Sequence, residues 1–392
     1  MKKYITLLLL TVLLLPASAQ ESGIRFFHGT WSEAVDKAKQ ENKKIFIDFF
    51  TEWCGPCLNM ALTVFPLPQV GELYNNNFVC LKIDAEKGEG VALAKKYGVF
   101  SYPNYVFVDP ATEEMIHRSG GNKPVADFMA DVQGALNPKL SSIYLEKKYQ
   151  SGDYDADFLI DYIRGKKVSG NRNVVKDFDK LISMGAKLTD EKVWNLYCEC
   201  VGGYDNSYVK QISDNYAQFV SLFGKQAVDK KLAEATAYAP KAFTQSLCDF
   251  EGKAYNQKMA DLSRLFREKN YDAAWAEVDK LIADTTIDQD KFLKQLSFYT
   301  RIDPKYSDAD LSFEQLAKKL RYTRYIAYNQ YERDDAYIHY YYAIGLEYLC
   351  RRALKEGKTL PADLFEAPQS GKTEYSMRHP LLKQKPIHKA KK

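Results

Sequence analysis

Residues 45–57 read Ile45-Phe46-Ile47-Asp48-Phe49-Phe50-Thr51-Glu52-Trp53-Cys54-Gly55-Pro56-Cys57. A continuous apolar run with one acid inside it, flanked by helical patterns, reads as a central strand of a sheet covered on both faces. The two cysteines follow directly on that strand. A helix beginning at Cys54 sets its sulfur over backbone N–H groups that have no intrahelical partner, at the positive end of the helix dipole. Both effects favour thiolate, and such settings lower a cysteine pKa from ~8.5 into the range ~3.5–7.5. Cys57, one turn on, lies on the same side and within reach of a disulfide. Gly55-Pro56 occupies the first turn, where proline forfeits no needed hydrogen bond.

Outward from this stretch, residues 22–137 alternate short strands with helices. Ile24–Phe27 is expected as a first strand. Thr30 with Glu33 forms a capping-box pair opening a helix whose apolar face is Trp31, Ala34, Val35 and Ala38. Phe78–Asp84 and Tyr105–Asp109 are expected as further strands, separated by a helix around Gly90–Tyr97. A short strand at Met115–Arg118, the Gly120-Gly121 turn and a helix from Pro124 to Leu136 complete the unit, with a boundary at Asn137-Pro138.

The stretch Phe46–Cys57 resembles the strand and active-site motif of the thioredoxin family almost position for position. Lys82-Ile83-Asp84, the Lys96-Tyr97-Gly98-Val99 turn and Tyr102-Pro103-Asn104 follow in the family's order and spacing. The loop Thr63–Val70 resembles the exported branch, including the C-terminal domain of the periplasmic membrane disulfide reductase. The resemblance covers about 116 of 392 residues. It implies an α/β thioredoxin fold, a central mixed sheet flanked by helices, and a thiol–disulfide oxidoreductase that needs no cofactor. By the same resemblance Cys54 is the nucleophile and Cys57 the resolving thiol. Asp48 is the buried acid that moves the Cys57 proton. Pro103 is the cis-proline facing the disulfide, which leaves the preceding backbone free to pair with a substrate strand. Trp53 shields the site. Tyr102 is bulkier than the residue usually found before that proline, which bears on substrate choice. Cys80 stands where the family commonly carries a lysine, so a more apolar pocket is expected around Asp48.

From residue 138 to 377 the periodicity is helical throughout, and an irregular all-α domain is expected there. Of 28 tyrosines, 23 lie beyond residue 138, so this part is built differently from the first. Tyr208, Ile212, Tyr216, Phe219, Val220 and Phe223 mark one apolar seam; Tyr337, Tyr341, Ile344 and Tyr348 mark another. Aromatic residues at this spacing are read as core. The helix starts at Asp153-Tyr154-Asp155-Ala156, Asn270-Tyr271-Asp272-Ala273 and Arg333-Asp334-Asp335-Ala336 resemble helix-pair repeats of the tetratricopeptide type, without a fixed spacing of ~34 residues. No catalytic motif falls in this region.

The ends account for the charge. Residues 1–19 combine Lys2 and Lys3, an apolar stretch from Ile5 to Leu15 and the small residues Ala17-Ser18-Ala19, which reads as a cleavable export signal. The stretch is too short for the ~20 residues that span a bilayer, so no stable membrane insertion is expected. Residues 378–392 carry six cations and read as a basic, disordered tail. The formal charge of +4 resides in these ends, and the remainder is slightly acidic, which argues against a nucleic-acid partner. Export places the chain in the periplasm or outside the cell, where disulfides persist. Scattered histidines and a single CxxC give no zinc site. The sequence leaves open how Cys198, Cys200, Cys248 and Cys350 pair.

Two functions are thus expected. The first is an exported oxidoreductase that reduces or exchanges protein disulfides. Its helical domain docks disulfide-containing exported proteins, and a membrane disulfide reductase donates the electrons. The second is a non-catalytic binding or scaffold protein whose helical domain carries the function.

Overall fold

The computed structural model describes residues 23–365 except 172, 303–307, 309 and 330–335. The expected signal at 1–19 and the tail at 378–392 lie outside the described residues. The N-terminal unit runs α1 (Trp31–Gln40), β1 (Lys44–Phe50), α2 (Gly55–Thr63), α3 (Pro68–Asn77), β2 (Phe78–Asp84), α4 (Glu89–Lys96), β3 (Asn104–Val108), β4 (Met115–Gly120) and α5 (Val125–Leu136). The sheet order is β2-β1-β3-β4, with β1 parallel to β2 and antiparallel to β3, and β3 antiparallel to β4.

Each element has a local cause. Thr30 and Glu33 make the reciprocal capping box that starts α1. β1 is central, so both its faces are covered. Ile45, Ile47 and Phe49 pack with Ala34, Val35 and Ala38 of α1 and Leu93 and Ala94 of α4. Phe46 faces the opposite way, among Met60 of α2, Tyr74 of α3 and Phe128 and Val132 of α5. Two expectations are corrected. Ile24–Phe27 is not a strand: Phe26 makes a single parallel bridge to Cys80, and the Arg25 N–H is taken by the Asn75 side chain at 2.9 Å. The supposed loop through Val70 contains the start of α3, because Pro68 at the first helical position begins a helix as readily as it ends one.

β4 is an edge strand, and the chain that follows covers it. After a short 3₁₀ turn at Pro138–Leu140, α6 (Ser142–Ser151) and α7 (Ala156–Val168) pack against the sheet edge and α5. The outward N–H of Arg118 donates to Ser142 Oγ at 2.8 Å, and the next outward N–H, of Gly120, donates to the Ser169 carbonyl at 3.2 Å. The Ser142 N–H in turn donates to Nδ1 of buried His117 at 3.0 Å. Lys167 at the end of α7 pairs with Asp127 of α5 at 3.0 Å. An edge left open would be a template for pairing with another chain; here the fold closes it internally.

The region from α6 onward holds thirteen α-helices among the described residues. Its first seam is two helices, Ser207–Asp214 and Tyr216–Phe223, broken at Asn215. Tyr208, Ile212 and Phe219 are buried, with Tyr216, Val220 and Phe223 packed against the same cluster, so these aromatics are core. Asp155 and Asn270 cap the helices that follow them, while 333–335 lie outside the described residues. The helix Ala336–Glu356 packs beside α2, so the helical region meets the N-terminal unit at both of its own ends. No helix of the described residues is long and apolar enough to cross a membrane.

The Phe46 ring is fully buried, with ring centroids of Tyr74, Tyr105, Phe107 and Phe128 at 4.9, 6.0, 5.2 and 6.0 Å. Phe46→Ala removes the hub of this cluster and is expected to destabilise the unit by about 3–5 kcal/mol. Urea unfolding followed by aromatic circular dichroism measures it.

Candidate functional site

The C-terminal ends of β1 and β2 and the start of β3 share one end of the sheet. Phe49 is registered with Asn104, so Pro103 comes opposite the last residue of β1. The turn Thr51–Cys54 leaves β1 here, held by the Cys54 N–H donating to the Thr51 carbonyl at 3.2 Å. Cys54 is the N-cap of α2, and its Sγ accepts the Cys57 N–H at 3.1 Å. The sulfur therefore occupies the place a capping serine oxygen would take. Cys54 and Cys57 are joined by a disulfide, and both residues are about 95% buried.

The remaining expected residues gather round this turn. Trp53 stands 66% exposed at the rim, its indole N–H donating to Glu86 Oε2 at 3.0 Å just beyond β2. Its ring meets Tyr102 edge-on with centroids 5.9 Å apart, joining the active-site turn to the loop before β3. The Tyr102–Pro103 peptide is cis. Trp53 thus forms one wall with Tyr102. Phe100, two residues before Tyr102, is 92% exposed, with its ring beside Gly98.

Asp48 lies on the α2-facing side of the sheet, 1% exposed, and neither carboxylate oxygen has a hydrogen-bond partner in the protein. Burial pushes its pKa up to about 7, against the opposing pull of the Lys82 charge. A carboxyl poised there can hold or release a proton at neutral pH. Cys80 is registered with Phe46 and buried in the apolar cluster, where burial pushes its thiol far up. Lys82 is registered with Asp48, but its side chain is exposed with Nζ over the Phe50 ring at 4.9 Å, so its charge acts on the acid only from a distance.

Cys80, Cys198, Cys200, Cys248 and Cys350 are all free. Cys200 packs in the helical core and Cys198 lies partly exposed beside it; burial raises both thiols to about 11, so they stay protonated at neutral pH. Among the described residues, no cluster of three or more His, Cys, Asp or Glu side chains could hold a metal ion.

A family model described as Thioredoxin-like matches residues 27–110. Thioredoxin H4 of Arabidopsis thaliana is 34% identical over 93 residues, which cover 24% of this chain and 73% of that protein. Thioredoxin-T of Drosophila melanogaster is 35% identical over 140 residues, 34% of this chain and 78% of that one. Among solved structures, a candidate disulphide-isomerase from Bacteroides thetaiotaomicron is 39% identical. It covers 30% of this chain and 98% of its own, with a TM-score of 0.28.

A carboxyl whose pKa rises from 3.8 to about 7 on folding binds its proton more tightly in the folded chain. The folded state therefore loses stability as pH climbs from about 4 to 7, and loses no more above that. Asp48→Asn removes the penalty. At pH 8 the variant is expected to be more stable than wild type by on the order of 2–4 kcal/mol, and at pH 4 about equal. Urea denaturation at the two pH values checks this.

Proposed function

We propose a function from one premise: this chain belongs to the thioredoxin family. The N-terminal unit is a thioredoxin-like oxidoreductase domain with a CxxC disulfide, and we read the whole chain as an exported enzyme that reduces or exchanges disulfides of other exported proteins. The observation that carries this reading is the Cys54–Cys57 disulfide capping α2 above a neutral-poised, unpartnered Asp48.

In the reduced enzyme the Cys54 thiolate, favoured by the free N–H groups of α2, attacks one sulfur of the substrate disulfide. The other substrate sulfur leaves as a thiolate, and a mixed disulfide joins Cys54 to the substrate. Asp48, in its ionised form, takes the proton of Cys57. The Cys57 thiolate then attacks the Cys54 sulfur, closing the disulfide seen in the structure and releasing the second substrate thiolate. Two electrons pass from the enzyme dithiol to the substrate disulfide, so each turnover consumes one reduced Cys54/Cys57 pair. A membrane disulfide reductase is the donor proposed to restore it. The aromatic wall of Trp53 and Tyr102 receives the substrate chain, and the helical region docks the rest of the partner.

Cys54→Ser is expected to lower reduction of insulin disulfides, with dithiothreitol as electron source, by at least ~100-fold. Cys57→Ala should instead accumulate mixed disulfides on Cys54, seen as thiol-sensitive adducts by mass spectrometry of the exported fraction. Equal insulin reduction by wild type and Cys54→Ser would overturn the reading.

A further inference from the structure

The turn Gly120-Gly121-Asn122, between β4 and α5, touches both walls of the disulfide site. The Gly121 N–H donates to the Pro103 carbonyl at 2.9 Å, which fixes the proline loop from behind. Asn122 Oδ1 accepts from Asn59 Nδ2 of α2 at 2.8 Å, a bond between exposed loop and helix that spans 63 residues of sequence. Tyr105 reaches the Gly121 carbonyl with its hydroxyl at 3.4 Å. One short turn therefore ties the helix that carries Cys57 to the loop that carries Pro103.

The same turn is held from outside by the helical region. Gly120 donates to the Ser169 carbonyl at 3.2 Å. Gly170 follows with φ +87°, and a Cβ there would collide with the Gly120 carbonyl oxygen, so backbone rests directly on backbone. Beside this contact lies a cavity of about 730 Å³ between the two parts of the chain, walled by Gly121, Lys123, Cys198, Lys231 and Glu234. With open space next to it, the turn takes its position from a few defined contacts rather than from continuous packing.

We propose that Asn122 and Gly170 are positioning residues for disulfide exchange: through Ser169–Gly170 the helical region sets the Gly120–Asn122 turn, and the turn sets the spacing between α2 and the Pro103 loop. This deepens the proposed activity and rests on it. Small displacements of a substrate groove cost rate without touching the nucleophile, because the reacting sulfurs must align. The intrinsic reactivity of Cys54, set by the N-terminus of α2, stays as it is.

The experiment uses the full chain and three variants, Asn122→Ala, Gly170→Ala and their double. The readouts are kcat/KM for insulin reduction and the rate at which iodoacetamide alkylates reduced Cys54. Each single variant is expected to lose about three- to tenfold in kcat/KM while the alkylation rate stays within about twofold. Because both act through one turn, the double variant should lose less than the product of the two. A folded Asn122→Ala protein with wild-type kcat/KM overturns the proposal, as does a double variant whose losses multiply, or an alkylation rate that falls in parallel with kcat/KM. If Gly170→Ala does not fold, Asn59→Ala takes its place in the cycle. If wild type itself does not reduce insulin, the proposed activity has failed. The route is then read by hydrogen exchange at the Gly121 N–H, which should quicken about tenfold or more in Gly170→Ala and would be unchanged were the proposal wrong.

Discussion

The burial of β1 on both faces is the constraint from which the rest of the N-terminal unit follows. A strand covered on both sides must sit between other strands, and it does, with β2 and β3 as neighbours. Its apolar run ends at Phe50, so the chain can leave the sheet only there, and the departing turn delivers Cys54 to the start of α2. The same burial sets the chemistry of Asp48. An isolated carboxylate in such a place is costly, and the group answers by staying neutral up to about pH 7. Lys82 lies at an exposed position and its pull is the smaller effect, so desolvation decides the direction. One packing requirement thus places the sulfur and tunes the proton acceptor.

The helical majority is joined to this unit by specific bonds to β4 and α5, to side chain as well as backbone. The two outward N–H groups of β4, at Arg118 and Gly120, are each met by the following chain. Each such bond contributes only about 1 kcal/mol net, but leaving the groups buried and unmet would cost more. Behind them Asp131, with no exposed surface, is held by Ser119 at 2.6 Å and Lys123 at 2.5 Å. A buried pair of this kind adds little net stability, since desolvation offsets attraction, whereas loss of one partner would strand the other. The Asp131 group lies wholly within the N-terminal unit, and it is the bonds of Arg118 and Gly120 that define one arrangement of the two parts.

What could be read beforehand was whatever carries its cause locally. β1 announced itself by composition, α1 by its capping box, and the site by two cysteines behind a strand with an acid and a proline at set distances. Ile24–Phe27 misled because a β-prone tetrapeptide does not reveal whether it finds a partner of its own length. α3 was hidden by prolines that read as breakers. Lys82 was missed because the residue facing Asp48 depends on strand register, and a shift of two positions is invisible without the pairing. Lys231 looks like a surface cation in the sequence. It is buried and donates to the Tyr197, Cys198 and Val201 carbonyls at 3.0, 3.3 and 2.6 Å, closing the end of the helix Glu191–Cys200. Ser142, Ser169 and Gly170 carry no periodic or motif signal, since their role lies in tertiary contacts around β4, Ser142 through its hydroxyl and N–H and the other two through backbone.

The helix that matters most for exchange is poorly anchored by its own sequence. α2 buries only Cys57 and Met60, and has no acid in its first turn and no base in its last to complement its dipole. A nine-residue helix with so little of its own to hold it is placed by its neighbours. Those neighbours are Met60's cluster beneath it, Asn122 at its side and the helix Ala336–Glu356 packed along it. The last belongs to the far end of the chain, and Asn122 belongs to a turn gripped by α7's end. A thioredoxin unit standing alone would have to supply all of this support itself. Here the helical region meets it on two sides, so α2 is placed by contacts from that region as well as from its own unit.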